Sequence, residues 1–350
     1  MGILDVRWGR RQAVVALTAG AGLLALGGET RAADLPTVGF GCGSTDPIFT
    51  VAYVTLSKGF FKDAGLKVNY LDSQSGPRTK QMLAAGQIAV GASGASDPMT
   101  VTVAGKPATL ILGLDRKITY ANVLVHRDNF ESGRFKSLKD LSHQSVGVTQ
   151  PQSATWLMGV YLTEKAGATD LTFRGLGDLS TMLGALKSKQ VAATVATMGM
   201  MEQGIKQGFA VPIFDVTDDA AWTAAFGGDV PGLGCYVMKD SITRDADALQ
   251  AFVSAMVLGQ DFITASSADA ITDLIHDSYL HAFDRDAVLK TITLYKDKVF
   301  TKDNLIGQAE YERLLAITGG GRQFSEVELK QIPYSQAVDM RFVRKARNLI

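Results

Sequence analysis

The sequence predicts an α/β fold of two units, each a mostly parallel sheet flanked by helices. Three observations carry that reading. Short β-like runs alternate with helically spaced stretches between residues 37 and 112. A further β run then follows near residue 120, and the alternation starts again. No low-complexity linker or repeat separates the two stretches. Strand, helix and strand in repetition is the pattern of parallel strands joined by crossover helices. Two such units without a linker are lobes joined by strands, not beads on a string.

In chain order, residues 37–41 form a strand that ends in a Gly-rich turn, and 48–63 show helical spacing. Residues 67–71 are a second strand. Residues 78–85 are a helix that Pro77 can open at its first turn. A strand at 88–91, a short helix at 98–104 and a strand at 108–112 complete the first alternation. The second begins with a β run at 120–125 and a one-turn helix at 137–141 with Ser137 as its N-cap. Residues 146–149 are a strand, and 153–165 a helix with Trp156, Leu157, Val160 and Tyr161 on one side. After a strand at 171–174, residues 178–187 place Leu179, Met182, Leu183 and Leu186 on one helical stripe. Strands follow at 191–195 and 211–215, and a last β run at 234–238 comes after the Pro231-Gly232 turn. Beyond it the chain reads as helical, with Leu249, Phe252, Val253, Met256 and Val257 on one stripe and Ile271, Leu274, Ile275 and Tyr279 on another.

The composition excludes several classes. Of 350 residues, 46% are hydrophobic and 20% charged, enough apolar surface to bury and too little charge for disorder. Thirty-five basic side chains balance 35 acidic ones, and no basic run marks a nucleic-acid face. Residues 1–33 read as an export signal: Arg7, Arg10 and Arg11 precede a short apolar stretch at 13–28, and Ala32 and Ala33 offer a cleavage site. Adjacent Arg10 and Arg11 ahead of a weakly apolar run suggest the twin-arginine route. The stretch is too short to span a membrane. The expected location is the periplasm, with no stable membrane insertion. There, Cys42 and Cys235 either close a disulfide or stay as two buried thiols.

Catalytic signatures are missing. The four histidines are not paired at metal-binding spacing, so no metal site is expected. Residues 91–95 read GASGA and miss the nucleophile-elbow spacing by one position. Gly39, Gly41 and Gly43 follow each other without the dinucleotide-binding spacing, and read as a turn that lets backbone approach a ligand. Asp218 and Asp219 read as a solvated loop pair. No catalytic residue and no cofactor are expected.

Several stretches together resemble the periplasmic substrate-binding proteins of ABC importers, in the nitrate/sulfonate/taurine and thiamine-precursor-like group. They are residues 56–68 (LSKGFFKDAGLKV), 83–91 (LAAGQIAVG), 105–107, 135–148 (FKSLKDLSHQSVGV), 186–195 (LKSKQVAATV) and 333–346. The resemblance spans residues 37–346. It implies a two-lobed, type II-like binding-protein fold, with 34–120 and 231–350 as one lobe and 121–230 as the other. It also implies that the β runs at 120–125 and 234–238 cross between lobes. The Cys-rich motif of the thiamine-precursor synthases is absent, and Thr197-Met198-Gly199-Met200 stands where many sulfonate binders have Trp-Asp-Pro. The implied function is solute capture by lobe closure and delivery to a membrane permease with its ATPase, by a chain acting as a monomer. The alternatives are a periplasmic enzyme on the same fold or a sensory module for a membrane receptor.

In open parallel sheets a ligand binds outside the carboxyl ends of the strands. Loops there carry helix N-termini whose free N–H groups favour anions. In this chain those loops hold Ser44, Thr45 and Asp46, then Ser75 and Gly76, then Ser93, Ser96 and Asp97, and in the second lobe Thr149, Gln152, Ser153 and Thr155. Each hydroxyl taken alone is explained as a helix cap; their recurrence at equivalent strand ends points to a ligand site. Arg116 could pair with an anionic ligand. Asp46 and Asp97 would oppose one, leaving room for a zwitterion or an amine. Tyr53 and Trp156 could stack on a planar ligand or pack in the core. The resemblance places Met198 at the cleft. The ligand class is a small polar organic molecule or anion: nitrate, sulfonate, carboxylate or a nitrogenous heterocycle.

Overall fold

The computed structural model describes residues 35–350; the export signal expected over 1–33 lies outside them. The strands are β1 (Thr37–Cys42), β2 (Lys67–Asp72), β3 (Val90–Gly94), β4 (Ala108–Gly113), β5 (Asn122–His126), β6 (Ser145–Val148), β7 (Thr172–Gly175), β8 (Ala193–Ala196), β9 (Ala210–Phe214) and β10 (Leu233–Met238). They form two five-stranded sheets of matching design, ordered β2-β1-β3-β10-β4 and β7-β6-β8-β5-β9. In the first, β1 runs parallel to β2 and β3, and β10 is antiparallel to β3 and β4. In the second, β6 runs parallel to β7 and β8, and β5 is antiparallel to β8 and β9. The α/β class and the mostly parallel sheets read from the sequence are those of the structure.

The reversed strand of each sheet is the one that arrives from the other sheet: β5 follows β4, and β10 follows β9. This corrects one expectation. The β runs at 120–125 and 234–238 do not span two sheets. Each belongs to a single sheet, and the connections are residues 114–121 and 215–232 just ahead of them. A reversed strand enters its sheet at the end where the parallel strands finish. The connections therefore reach the sheets beside the strand-end loops.

A buried carboxylate ties the two connections together. Asp115 Oδ1 accepts the N–H groups of Gly232 at 2.6 Å and Leu233 at 2.9 Å. The Gly232 carbonyl accepts from the Ala95 N–H at 2.8 Å and the Tyr120 hydroxyl at 2.8 Å. A side chain at Gly232 would place its Cβ 2.7 Å from Ile118 Cα, so the close approach requires glycine.

Helices cover both sheets and follow the predicted alternation. The stretch expected as one helix over 48–63 is three pieces, Pro47–Phe49, Thr50–Ser57 and Phe60–Asp63, broken where Gly59 adopts φ +72°. Asp218 and Asp219 are exposed, as expected; Asp218 Oδ1 also caps helix Asp219–Phe226, and Asp219 pairs with Lys117 at 2.7 Å. Helix Ala246–Ala265 is long and apolar enough to cross a membrane by length and composition. Its stripe of Leu249, Phe252, Val253 and Met256 is buried, and Phe252 lies 5.0 Å from Phe40 and 5.1 Å from Phe61 between ring centroids. Burial of each such side chain contributes roughly 1.5–3 kcal/mol. The C-terminal helices do not keep to the first sheet. Arg285–Lys298 packs on Met198–Lys206, with Lys290 Nζ 2.7 Å from the buried Glu202 carboxylate.

Cys42 and Cys235 are buried free thiols. Both align with Ala92 of β3, from opposite sides. Two interstrand spacings of about 4.8 Å separate them, beyond the reach of a disulfide. Burial pushes both thiols up from their ordinary range.

Candidate functional site

The carboxyl ends of both sheets meet at a narrow cavity of about 50 Å³. From the first sheet come Gly43 and Ser44 after β1, Ser75 and Gly76 after β2, Ser93 and Gly94 at the end of β3, and Asp97 after it. From the second come Thr149, Ser153 and Thr155 after β6, Leu179 after β7, and Thr197 after β8. Tyr120 enters from the first connection and Leu233 from the start of β10.

Local sequence explains why these hydroxyls converge. Ser75 Oγ accepts from the Arg78 N–H and caps helix Gly76–Ala84. Ser153 Oγ accepts from the Trp156 N–H and caps Ala154–Lys165. Thr197 Oγ1 accepts from the Met200 N–H and caps Met198–Lys206. A cap takes the third N–H of its helix and leaves the first two without an intrahelical acceptor. Gly76, Ala154 and Thr155 carry such N–H groups in the cavity wall. Ser153, Thr155 and Thr149 also bond to one another, each hydroxyl pair at 3.0 Å.

The acidic side of the cavity is Asp97. It is buried, Ser93 Oγ donates to its Oδ2 at 2.5 Å, and Lys80 Nζ lies 3.0 Å from its Oδ1. The buried lysine and carboxylate thus form a close ion pair. Ser93 in turn lies 2.8 Å from the Tyr236 hydroxyl.

The two sheets are closed on each other around this cavity. Asp46, before β2, and Thr197, after β8, join across it: Thr197 Oγ1 donates to Asp46 Oδ2 at 2.6 Å, while Ile48 N–H donates to Oδ1 at 3.0 Å. Burial pushes the Asp46 carboxyl up to about 7, against the pull of those two bonds. A Cβ at Gly94 would stand 2.8 Å from Ala154 Cβ, and one at Gly199 would stand 2.9 Å from Asp46 Oδ2. Glycine at both positions lets the halves touch.

Of the residues singled out in the sequence, Ser44, Ser75, Gly76, Ser93, Ser153 and Thr155 line the cavity. Thr45, Asp46, Ser96, Gln152, Met198 and Arg116 do not. Thr45 Oγ1 donates to Asp72 instead, at 2.6 Å. Asp46 is spent on the cross-sheet bond. Ser96 is buried with its hydroxyl unpartnered beneath the cavity wall. Gln152 is exposed at φ +60° on the outer side of its loop. Met198 is packed in the core, because Thr197, not the methionine, presents its side chain at the end of β8. Arg116 is half-exposed on the first connection and lies 3.9 Å from Asp229. Of the aromatic candidates, Tyr53 stacks on Tyr279 at 4.6 Å and Trp156 packs on Phe173, both away from the cavity. Gly39 and Gly41 serve close packing on Ile88; Gly43 alone of the three reaches the cavity.

Ile48, Phe49, Tyr120, Ala154, Leu179 and Leu233 also line the cavity and were not singled out. The sequence carries a signal for Thr197: a hydroxyl residue between an apolar run and a helix, like Ser153. Placing the strand end at 195 hid it.

Matching this chain to a family model decides its membership: residues 46–270 match the family described as NMT1/THI5 like. The chain belongs to the NMT1/THI5-like family. YtlA of Bacillus subtilis, named as a candidate binding protein, is 24% identical over 303 residues, 84% of each chain. A Bordetella bronchiseptica protein of solved structure superposes with a TM-score of 0.80 at 22% identity, over 89% of this chain and 97% of its own. The alkanesulfonate-binding protein SsuA from Xanthomonas axonopodis pv. citri, bound to MOPS, superposes with a TM-score of 0.70 at 14% identity, over 88% of this chain and all of its own. The fold of this NMT1/THI5-like chain is that of periplasmic binding proteins, as the earlier resemblance implied.

Proposed function

We propose that this protein is the exported solute-binding component of an ABC importer, which closes two lobes over a small polar ligand in the periplasm and hands it to a membrane permease. One observation carries the reading: hydroxyls and first-turn N–H groups from the strand ends of two separate sheets converge on one cavity. A monomer that captures and releases a solute needs such a divided site. Ligand contacts to both halves favour the closed form, so binding shifts the open–closed population. Asp46 with Thr197, and Gly94 with Ala154, are where the halves meet. The connections at 114–121 and 215–232 are the hinge. Membership in the family and the likeness to a sulfonate-binding protein support capture over turnover.

The test is binding to the purified, dialysed protein. A ligand selective for the folded state raises the melting temperature. Sulfonates, nitrate, carboxylates, amines and amides should include at least one solute that does so. Ser153→Leu fills the cavity and should abolish that shift while cooperative unfolding persists. An unchanged shift in the variant overturns the assignment of the site.

A further inference from the structure

The nature of the ligand follows from the charge of the cavity wall, and rests on the reading of that cavity as the solute site. Among the side chains that line it, Asp97 is the one that carries charge; no Lys, Arg or His is among them. Lys80 pairs with Asp97 from helix Gly76–Ala84 without lining the cavity. The one arginine that the sequence offered to an anion, Arg116, lies outside it beside Asp229.

Asp97 keeps capacity to accept. A carboxylate has about four lone-pair positions. Ser93 Oγ uses one, on Oδ2, and Lys80 Nζ faces another, on Oδ1, which leaves about two. Two cavity glycines put no side chain between Oδ2 of this buried carboxylate and the cavity. A Cβ at Gly76 would stand 2.5 Å from Asp97 Oδ2, and one at Gly94 would stand 3.4 Å from it. The opposing wall donates: the first-turn N–H groups of Ala154 and Thr155 sit there at the start of a twelve-residue helix, beside the Ser153 and Thr197 hydroxyls. The cavity therefore has an acceptor wall and a donor wall. In so small a space a simple oxyanion that satisfied the donors would also face the carboxylate, while the paired Lys80 stays outside the lining.

We infer that the ligand is an amide-bearing or amino-acid-like solute, which presents an N–H donor to Asp97 and an oxygen acceptor to the N-terminus of helix Ala154–Lys165. Nitrate and simple sulfonates are excluded as its principal ligands. Asp97 acts as the specificity-determining residue, and Gly76 and Gly94 leave no side chain between it and the cavity.

Calorimetric titration of the full-length exported protein tests this with two probe sets: glycinamide, β-alanine and urea against nitrate, ethanesulfonate and acetate. The wild type should bind a member of the first set and none of the second. Asp97→Asn should weaken that binding roughly tenfold or more. It also leaves Lys80 uncompensated, so nitrate or ethanesulfonate should now bind, an inversion that mere loosening of the fold would not produce. Gly76→Ala keeps both charged residues, crowds the carboxylate and should weaken the same first-set probe. Oxyanion binding by the wild type that is indifferent to Asp97→Asn overturns the ligand class and leaves the solute-binding reading standing. Silence of both probe sets on the wild type and both variants overturns the solute-binding reading as well.

Discussion

Asp46 shows how a side chain can leave one role for another. A carboxylate at a strand end beside a cluster of hydroxyls reads as a ligand contact. In the fold it caps the turn at Ile48 and receives the Thr197 hydroxyl from the other sheet. Burial holds its carboxyl up near 7, whereas unfolded it titrates close to 4. Between those values the folded chain keeps a proton that the unfolded chain releases. The contribution of Asp46 to stability is therefore complete below about pH 4 and is lost as the pH rises through 7. Asp46→Asn cannot ionise. Wild type and variant should melt at similar temperatures below about pH 4, and the wild type should fall progressively behind up to pH 8. Parallel pH profiles would remove Asp46 from this role. The same scale accounts for Cys42 and Cys235: two positions far apart in sequence left the bridge open, and β3 between them closes the question.

Elements were legible where a local rule sufficed. Ser153 ahead of an apolar stripe, and Asp178 ahead of another, cap helices as their positions suggest. Helix 48–63 broke at Gly59 because the left-handed backbone there was invisible to apolar periodicity. The two β runs taken as crossing strands misled for a related reason: nothing in a short apolar run says which sheet it joins. The connections ahead of them now make a definite prediction. Gly232→Ala would put a methyl against the Ile118 backbone and beside Asp115. Chemical denaturation should report a loss of about 1–3 kcal/mol. An unchanged midpoint would mean that the connections have room to part without cost.

The whole molecule is a pair of sheets closed at their carboxyl ends, and its motion is the observable that matters. In solution scattering, ligand should shrink the radius of gyration of a population that is partly open when empty. Gly94→Val should hold the halves apart, since even its Cβ would meet Ala154 at 2.8 Å. The variant should stay extended with ligand present and bind more weakly. Equal compaction in both would disprove closure at this seam. The cavity itself was half legible. Ser44, Ser75, Gly76, Ser93, Ser153 and Thr155 were read from strand-end loops and do line it. Arg116, just past the fourth strand, offered a charge for an anion, and lies outside.

Periodicity, caps and turn residues are local, so the alternation of elements, the α/β class and the strand-end loops could be read along the chain. Which oxygen, glycine or N–H faces the shared cavity depends on strand register and on contacts between residues 60 or more positions apart. Thr197 meeting Asp46, and Ala154 meeting Gly94, are set by how two sheets pack. The same packing leaves Asp97 as the lone charge on the wall, and no local pattern encodes that outcome.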